Sequence, residues 1–506
     1  MIAAAPLPGA AFGRPAALAA LVLVFALFAM ARPIDHDESQ YVAAAVLSGE
    51  GLLPYRDYAY LQTPLQPLLF GSVAKLLGAY AYPGLRLINA VLGALAVMFV
   101  YRAARAAAVG VRPALIAAGL FAATDILLFG TGSARNDALP VALLAGALWL
   151  IIAGEGRRRT PLAAFCAGLL LAAAAATKAS YALPAAAYGA WTLLDRAHRP
   201  LWVAVGAALP TALVLGLASL APEAFRFGVF TFPADAPRQY FASGGKGYKL
   251  TLAFRLIDLA KFLALGAALP ALLLVASRLR AWRGHARIDW LLHLLIGVGL
   301  ISAVLPEPTW RQYLLPLLPP LFVRLARVWD DSQLQWQRFA FTAFALAGLA
   351  PTVIAFGSAA VEGIPMVRVL DEGRAIDRAL DAAGAHGPVA STAPQLLPGA
   401  ERLPDRRFAA GPFFLRSKAL ISEADERRFH LVSVGRLRPN DLPPVVLLGG
   451  EARWSGGDPG LDSEIERIAE PRIAKRLKVG DGRLRLLLLT PPLQAAARAR
   501  LSSSSE

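Results

Sequence analysis

A chain of 506 residues that is 57% hydrophobic, with 51 Lys and Arg against 35 Asp and Glu for a net charge of +16, is far more apolar than a soluble domain needs. The positive charge would suit nucleic acid, but the basic residues fall in short clusters between apolar runs, as they do in cytoplasmic loops, and that pattern argues against a nucleic-acid partner. A single cysteine, Cys166, lies inside an apolar run and excludes an intramolecular disulfide.

A bilayer-crossing helix takes about 20 apolar residues. The first such run, residues 15–32, has only Arg14 before it and reads as a retained anchor rather than a signal peptide. Residues 33–84 are too polar and too broken by proline for a simple span. They hold "ESQYVAAAVL" (38–47) and "PLLFGSVAKLLG" (67–78), short amphipathic segments suited to the membrane interface. Further spans are expected at 85–101, 113–130, 137–153, 161–176, 181–194, 200–220, 251–276, 288–304, 313–328 and 339–358. Oriented by their basic loops, chiefly "RRR" (157–159) and "SRLRAWRGHAR" (277–287), these give a polytopic α-helical membrane protein of about eleven transmembrane helices. The long outer segment 222–250, rich in aromatics and carrying "SGGKG", reads as a lid hinged at its glycines.

Past residue 360 the pattern changes. "DEGRAIDRALDAAGAHG" is an amphipathic helix closed by glycine. "PVVLLGG" and "RLRLLLLTPP" read as buried strands, with a helix over "LDSEIERIAEPRIAKRL" between them. The expected organisation is a membrane domain over 1–359 and a small C-terminal α/β extracytoplasmic domain over 360–506, ending in a disordered "SSSSE".

Ionisable residues gather at the outer ends of the expected helices. Asp35, His36, Asp37 and Glu38 follow the first; Arg135 and Asp137 lie between the third and fourth; Lys178 ends the fifth; Arg311 and Tyr313 follow the ninth. Charges at membrane depth are expensive and functional by default. A charge-paired transporter lumen would also place them together. Transporters, however, carry such groups near the midplane on broken helices in repeated halves, and no internal repeat is visible.

"HDESQYVAAAVLSGEGLLPYRDYAYLQTPLQPLLFG" resembles the first outer loop of the GT-C membrane glycosyltransferases, most nearly the group of protein O-mannosyltransferases and lipid A aminoarabinose transferases. "GSARNDALPVALLAGALWL", "GLLLAAAAATKASYALP" and "WRQYLLPLLPPL" resemble that group's later motifs, in the same order. The resemblance implies a GT-C-like fold in the bacterial inner membrane, with the site and the C-terminal domain on the periplasmic side. It implies a polyprenyl-phosphate-linked sugar donor and an extracytoplasmic acceptor that the sequence does not identify. A lipid flippase or transporter, and a surface-glycan polymerase or ligase, are the alternatives.

An inverting transfer needs a carboxylate base for the acceptor and cations around the departing phosphate. The motif puts Asp37 in the base position, with Glu38 second and Asp35 outside the pattern; Asp137 matches the second acid. Lys178 and Arg311 are the expected donor-phosphate ligands, with Arg86 and Lys75 as further candidates; Tyr41, Arg135 and Tyr313 are expected to contact substrate. No cofactor is required by this pattern. A divalent cation on Asp35, His36, Asp37 and Glu38 is left open, although adjacent residues at a helix start point in different directions.

Overall fold

The computed structural model describes residues 9–154, 158–279, 286–329, 335–417, 419–451 and 458–491. The "SSSSE" tail, Arg157 of the first basic loop and residues 280–285 of the second lie outside the described residues.

Each apolar run becomes helix. The first part of the chain comprises α1 (Gly9–Ala31), α2 (Glu38–Gly49), α3 (Leu65–Leu77), α4 (Ala81–Ala106), α5 (Val111–Ala122), α6 (Asp125–Thr131), α7 (Ala138–Ala153), α8 (Pro161–Thr177), α9 (Ala182–Leu194) and α10 (Pro200–Leu220). Then come α11 (Pro222–Arg226), α12 (Phe232–Ser243), α13 (Leu252–Ala264), α14 (Ala268–Ser277), α15 (Arg287–Val304), α16 (Leu318–Val328) and α17 (Gln335–Glu362). Among the described residues, four helical stretches are long and apolar enough to cross a membrane, or six if each bent pair counts as one span. The chain is a multi-pass membrane protein, with four to six clear spans by length and composition where hydropathy placed about eleven.

Two expected spans are broken. The helix drawn over 113–130 bends by 63° between α5 and α6, and the one over 251–276 bends by 102° between α13 and α14. The two breaks meet. The Asp125 backbone N–H donates to the Leu265 carbonyl at 3.0 Å, so the end of one broken helix satisfies the start of another away from water. Gly266 has φ 135°, and a Cβ on Gly348 of α17 would lie 2.2 Å from the Ala123 carbonyl oxygen. Only glycine admits this three-way approach of backbones.

Segment 222–250 is helical rather than an open loop. A π-turn over Phe227–Thr231 joins α11 to α12. Phe227 stacks on Phe429 at 4.8 Å, Phe232 packs on Phe414 at 4.6 Å, and Glu223 pairs with Arg428. The segment is therefore tied to the C-terminal part, with Gly244, Gly245 and Gly247 beyond these anchors.

The C-terminal part holds α18 (Pro365–Ala382), a short helix α19 (Pro412–Arg416), and a sheet of β1 (Val389–Ser391), β2 (Val445–Leu448), β3 (Ile473–Val479) and β4 (Leu484–Leu489) in the order β1-β2-β4-β3. β1 and β2 are parallel; the other pairs are antiparallel. The expected helix through "RIAKRL" stops earlier: Pro471 follows the helix Pro459–Ala469, and the next residues form β3.

The C-terminal part sits on α2 through the turn Pro394–Leu396 that follows β1. Nine of the 12 residues of α2 are buried, so it is enclosed rather than lying open on an interface. A Cβ on Gly411 (φ 59°) would lie 2.3 Å from Ser39 Oγ, which measures how closely the C-terminal part is seated. Val42, Phe70 and Leu85 share one apolar cluster with Val369, Leu396 and Leu486.

Candidate active site

The turn after α1 is built on Arg86. From α4, its guanidinium donates to the Ala29, Arg32 and Pro33 carbonyls, capping the open end of α1, and to both oxygens of Glu38. Glu38 also accepts from the Tyr82 hydroxyl at 2.9 Å and from the backbone N–H groups of Asp35 and Ala134. Both side chains are fully buried. This corrects two expectations: Arg86 has no donor left for a phosphate and Glu38 no oxygen left for an acceptor, so both are structural. Lys75 points elsewhere, lying exposed against Glu50 at 3.5 Å.

One residue earlier the chemistry differs. Asp35, His36 and Asp37 are partly exposed, and Asp37 stands just before α2. Arg135 reaches them from the loop between α6 and α7, which Asn89 holds by donating to the Ser133 and Arg135 carbonyls. Arg135 Nη1 donates to Asp35 Oδ1 at 3.0 Å and to Asp37 Oδ2, while its Nε donates to Asp137 Oδ2 at 3.1 Å. Lys178, at the end of α8, donates to the other oxygen of Asp137, and its Nζ lies 5.6 Å from the centre of the Tyr313 ring. A continuous network thus runs from Asp35 and Asp37 through Arg135 and Asp137 to Lys178. The expected Asp37, Arg135, Asp137, Lys178 and Tyr313 come together in it.

Burial would raise the Asp37 carboxyl, but Arg135 and His36 overcome it and hold the group well below the usual carboxylate range. His36 moves the other way: burial opposes its charge, yet Asp37 and Asp35 raise it above 6.5. The His36 ring also meets Phe413 of α19 at 5.8 Å, which makes the C-terminal part a roof over the acids. Tyr41, expected to touch substrate, is buried and packs edge-on against Tyr60.

Arg311 stands beside this network. It pairs with Asp125 at 2.8 Å and lies 3.6 Å over the Phe129 ring, which Arg32 and Arg135 also approach, at 4.9 and 5.1 Å. Sequence reasoning missed Arg32, Asp125 and Phe129. The acid inside the apolar run "AATDILLFG" was the available signal.

The ligand atoms of Asp35, His36 and Asp37 lie within 4.8 Å of one another, closer than neighbouring positions at a helix start suggested. Arg135 already bonds Asp35 Oδ1 and Asp37 Oδ2, so a cation at those two oxygens would have to displace it.

No protein-family model and no curated protein matches this chain. Solved structures do. ArnT from Cupriavidus metallidurans, bound to undecaprenyl phosphate, superposes with a TM-score of 0.61 at 13% identity, over 94% of this chain and 98% of that one. Its apo form gives a TM-score of 0.57 at 14% identity, over 95% and 98%. The chain has the GT-C fold. The protein O-mannosyltransferase Pmt1-Pmt2 complex of S. cerevisiae aligns over 44% of this chain and 35% of that one, at 17% identity and a TM-score of 0.36. Within the GT-C fold of this chain, the charged network joins the C-terminal ends of α1, α6 and α8, with Phe413 of α19 against His36.

Proposed function

We propose that the protein is a membrane glycosyltransferase that moves a monosaccharide from a polyprenyl-phosphate donor to an extracytoplasmic acceptor, with inversion. The observation that carries this reading is the network joining Asp37, Arg135, Asp137 and Lys178 under the C-terminal roof of a GT-C fold. The undecaprenyl phosphate bound by ArnT supports the donor class. In this reading residues 1–359 form the membrane domain and 360–506 a domain on the periplasmic side of the inner membrane.

Asp37 takes the proton of the acceptor hydroxyl or amine as the acceptor bonds to the anomeric carbon. The bond from that carbon to the phosphate oxygen breaks, and polyprenyl phosphate departs with the electron pair. Lys178 and Arg311 neutralise the phosphate, Asp137 orients Lys178 and Arg135, and Tyr313 supports Lys178. A carboxylate held this low is a weak base while Arg135 grips it. Arrival of the phosphate supplies a competing anion for Arg135 and releases Asp37.

Two broken spans are what a transporter would also show. Against that reading, the acids and cations, from partly exposed Asp35 and Asp37 to buried Arg135, Asp137 and Lys178, lie at helix ends beneath the roof. The test is transfer from a defined polyprenyl-phosphate sugar by purified protein. Asp37→Asn keeps the shape and removes the basicity, so donor still binds while transfer falls about 10²–10⁴-fold. Normal transfer by this variant would remove Asp37 from the reaction.

A further inference from the structure

The roof over the acids carries a guanidinium that the network does not use. Arg416 closes α19, and its guanidinium stands 5.5 Å from the centre of the Phe413 ring. His36 meets the same ring at 5.8 Å and pairs with Asp37 at 3.1 Å. Arg416 is close enough for its charge to oppose that of His36. Its own hydrogen bonding is incomplete. Nε gives one bond of 3.4 Å to the Pro412 carbonyl, and Nη2 is buried with no hydrogen-bond partner among the described residues. Buried donors are normally matched. Nη2 pairs with the buried Glu451 at 3.6 Å, past hydrogen-bond length, while 19% of the Arg416 side chain stays open. The carboxyl ends of both parallel strands lead here. Thr392, whose carbonyl lies 3.3 Å from a Cβ placed on Gly411, follows β1, and Glu451 follows β2. Ligands of α/β sheets bind at that edge.

We propose that Arg416 and Phe413 form an acceptor subsite for a neutral saccharide, beside Asp37, which takes the proton of its hydroxyl. The charge balance selects the class. Glu451 offsets the Arg416 charge, and Asp35 and Asp37 stand within reach of His36 and Arg135. A phosphate or carboxylate brought here meets three acids, and Arg135 is already committed to two of them. A hydroxyl meets no such penalty, because its oxygen accepts from a guanidinium without bringing charge. A sugar ring also has an apolar face, and the partly exposed Phe413 ring offers it a flat apolar surface. Phe413 and Arg416 lie three residues apart in α19, so ring and donors are presented together. The subsite deepens the reading above by naming the acceptor class, and rests on it only for the role of acceptor.

The test measures binding without donor, on the full-length protein in a detergent that has no sugar headgroup. Mannotriose, glucose 1-phosphate and a blocked threonine tripeptide are titrated by saturation-transfer NMR. Mannotriose is expected to bind with an affinity that stays constant as salt rises, because the ligand carries no charge to be screened. Arg416→Gln weakens it about tenfold or more, and Phe413→Leu about three- to tenfold. Phe413 is partly exposed, so its variant keeps the test decisive even if Arg416→Gln folds poorly. Glu451→Gln removes the countercharge and shifts the preference towards glucose 1-phosphate. Mannotriose binding that is absent, or that changes less than about twofold in both Arg416→Gln and Phe413→Leu, overturns the subsite and leaves the Asp37 reading standing. Glucose 1-phosphate or the peptide following these variants in its place overturns the saccharide class. Mannotriose binding that follows the variants, alongside normal transfer by Asp37→Asn, keeps the saccharide site and removes the catalytic reading.

Discussion

Glu38 and Asp37 adjoin in the chain and both meet an arginine, but Glu38 is fully buried against Arg86 while Asp37 stays partly exposed against Arg135. Glu38 accepts from Arg86, Tyr82 and two backbone amides, so removing its charge strands a buried guanidinium. Glu38→Gln or Arg86→Met is expected to cost about 3–5 kcal/mol of stability, read as a lower thermal midpoint in detergent, without a selective loss of donor affinity. Asp35 shares Arg135 with Asp37, so Asp35→Asn is expected to slow transfer, though less than Asp37→Asn. His36 supplies a pH signature. Its folded value is raised, so the stability it contributes is complete below about 6.5 and is lost as pH rises through the folded value. Thermal midpoints taken between about pH 6 and pH 9 should fall in the parent protein and flatten in His36→Gln. The sequence made the acids visible because they stand together after an apolar run. It could not separate Asp37 from Glu38, since the residues that distinguish them, Arg86 and Arg135, come from elements far along the chain.

The helices were legible wherever apolar runs had polar ends, and the breaks inside them were not. Thr124 and Gly266 sit in stretches as greasy as their neighbours, and only the meeting of their backbones shows why each helix stops there. Asp125 was hidden for the same reason, inside a run drawn as one span. β3 was missed because "RIAKRL" has charges that suit a helix, whereas pairing with β4 decides its conformation. Gly348 tests the crossing of the two breaks. Gly348→Val should cost about 1–3 kcal/mol or more, because a side chain there meets the Ala123 carbonyl. Gly357→Val, on the same helix with nothing within 4 Å of its Cβ position, is the matched control and should change little. Equal midpoints for the two variants would mean that the breaks do not depend on this approach.

At the scale of the whole molecule, orientation is open to direct measurement. The clustering of basic residues predicts residue 158 on the cytoplasmic side and residue 370 on the other, so reporter fusions at those points are expected to read opposite sides. Two fusions reading one side would break that arrangement. The sheet and the helices beneath it also answer to each other. Val42, Phe70 and Leu85 lie in the same apolar cluster as Val369, Leu396 and Leu486, and Gly411 leaves no room above Ser39. The sequence after residue 359 is therefore no detachable cassette. Recombination that swapped it between relatives would succeed only if the incoming piece carried a matching underside. Inheritance should instead show paired drift, with changes in α2 and α3 answered by changes in α18 and the strands, so that the roof and the floor of the site evolve as one surface.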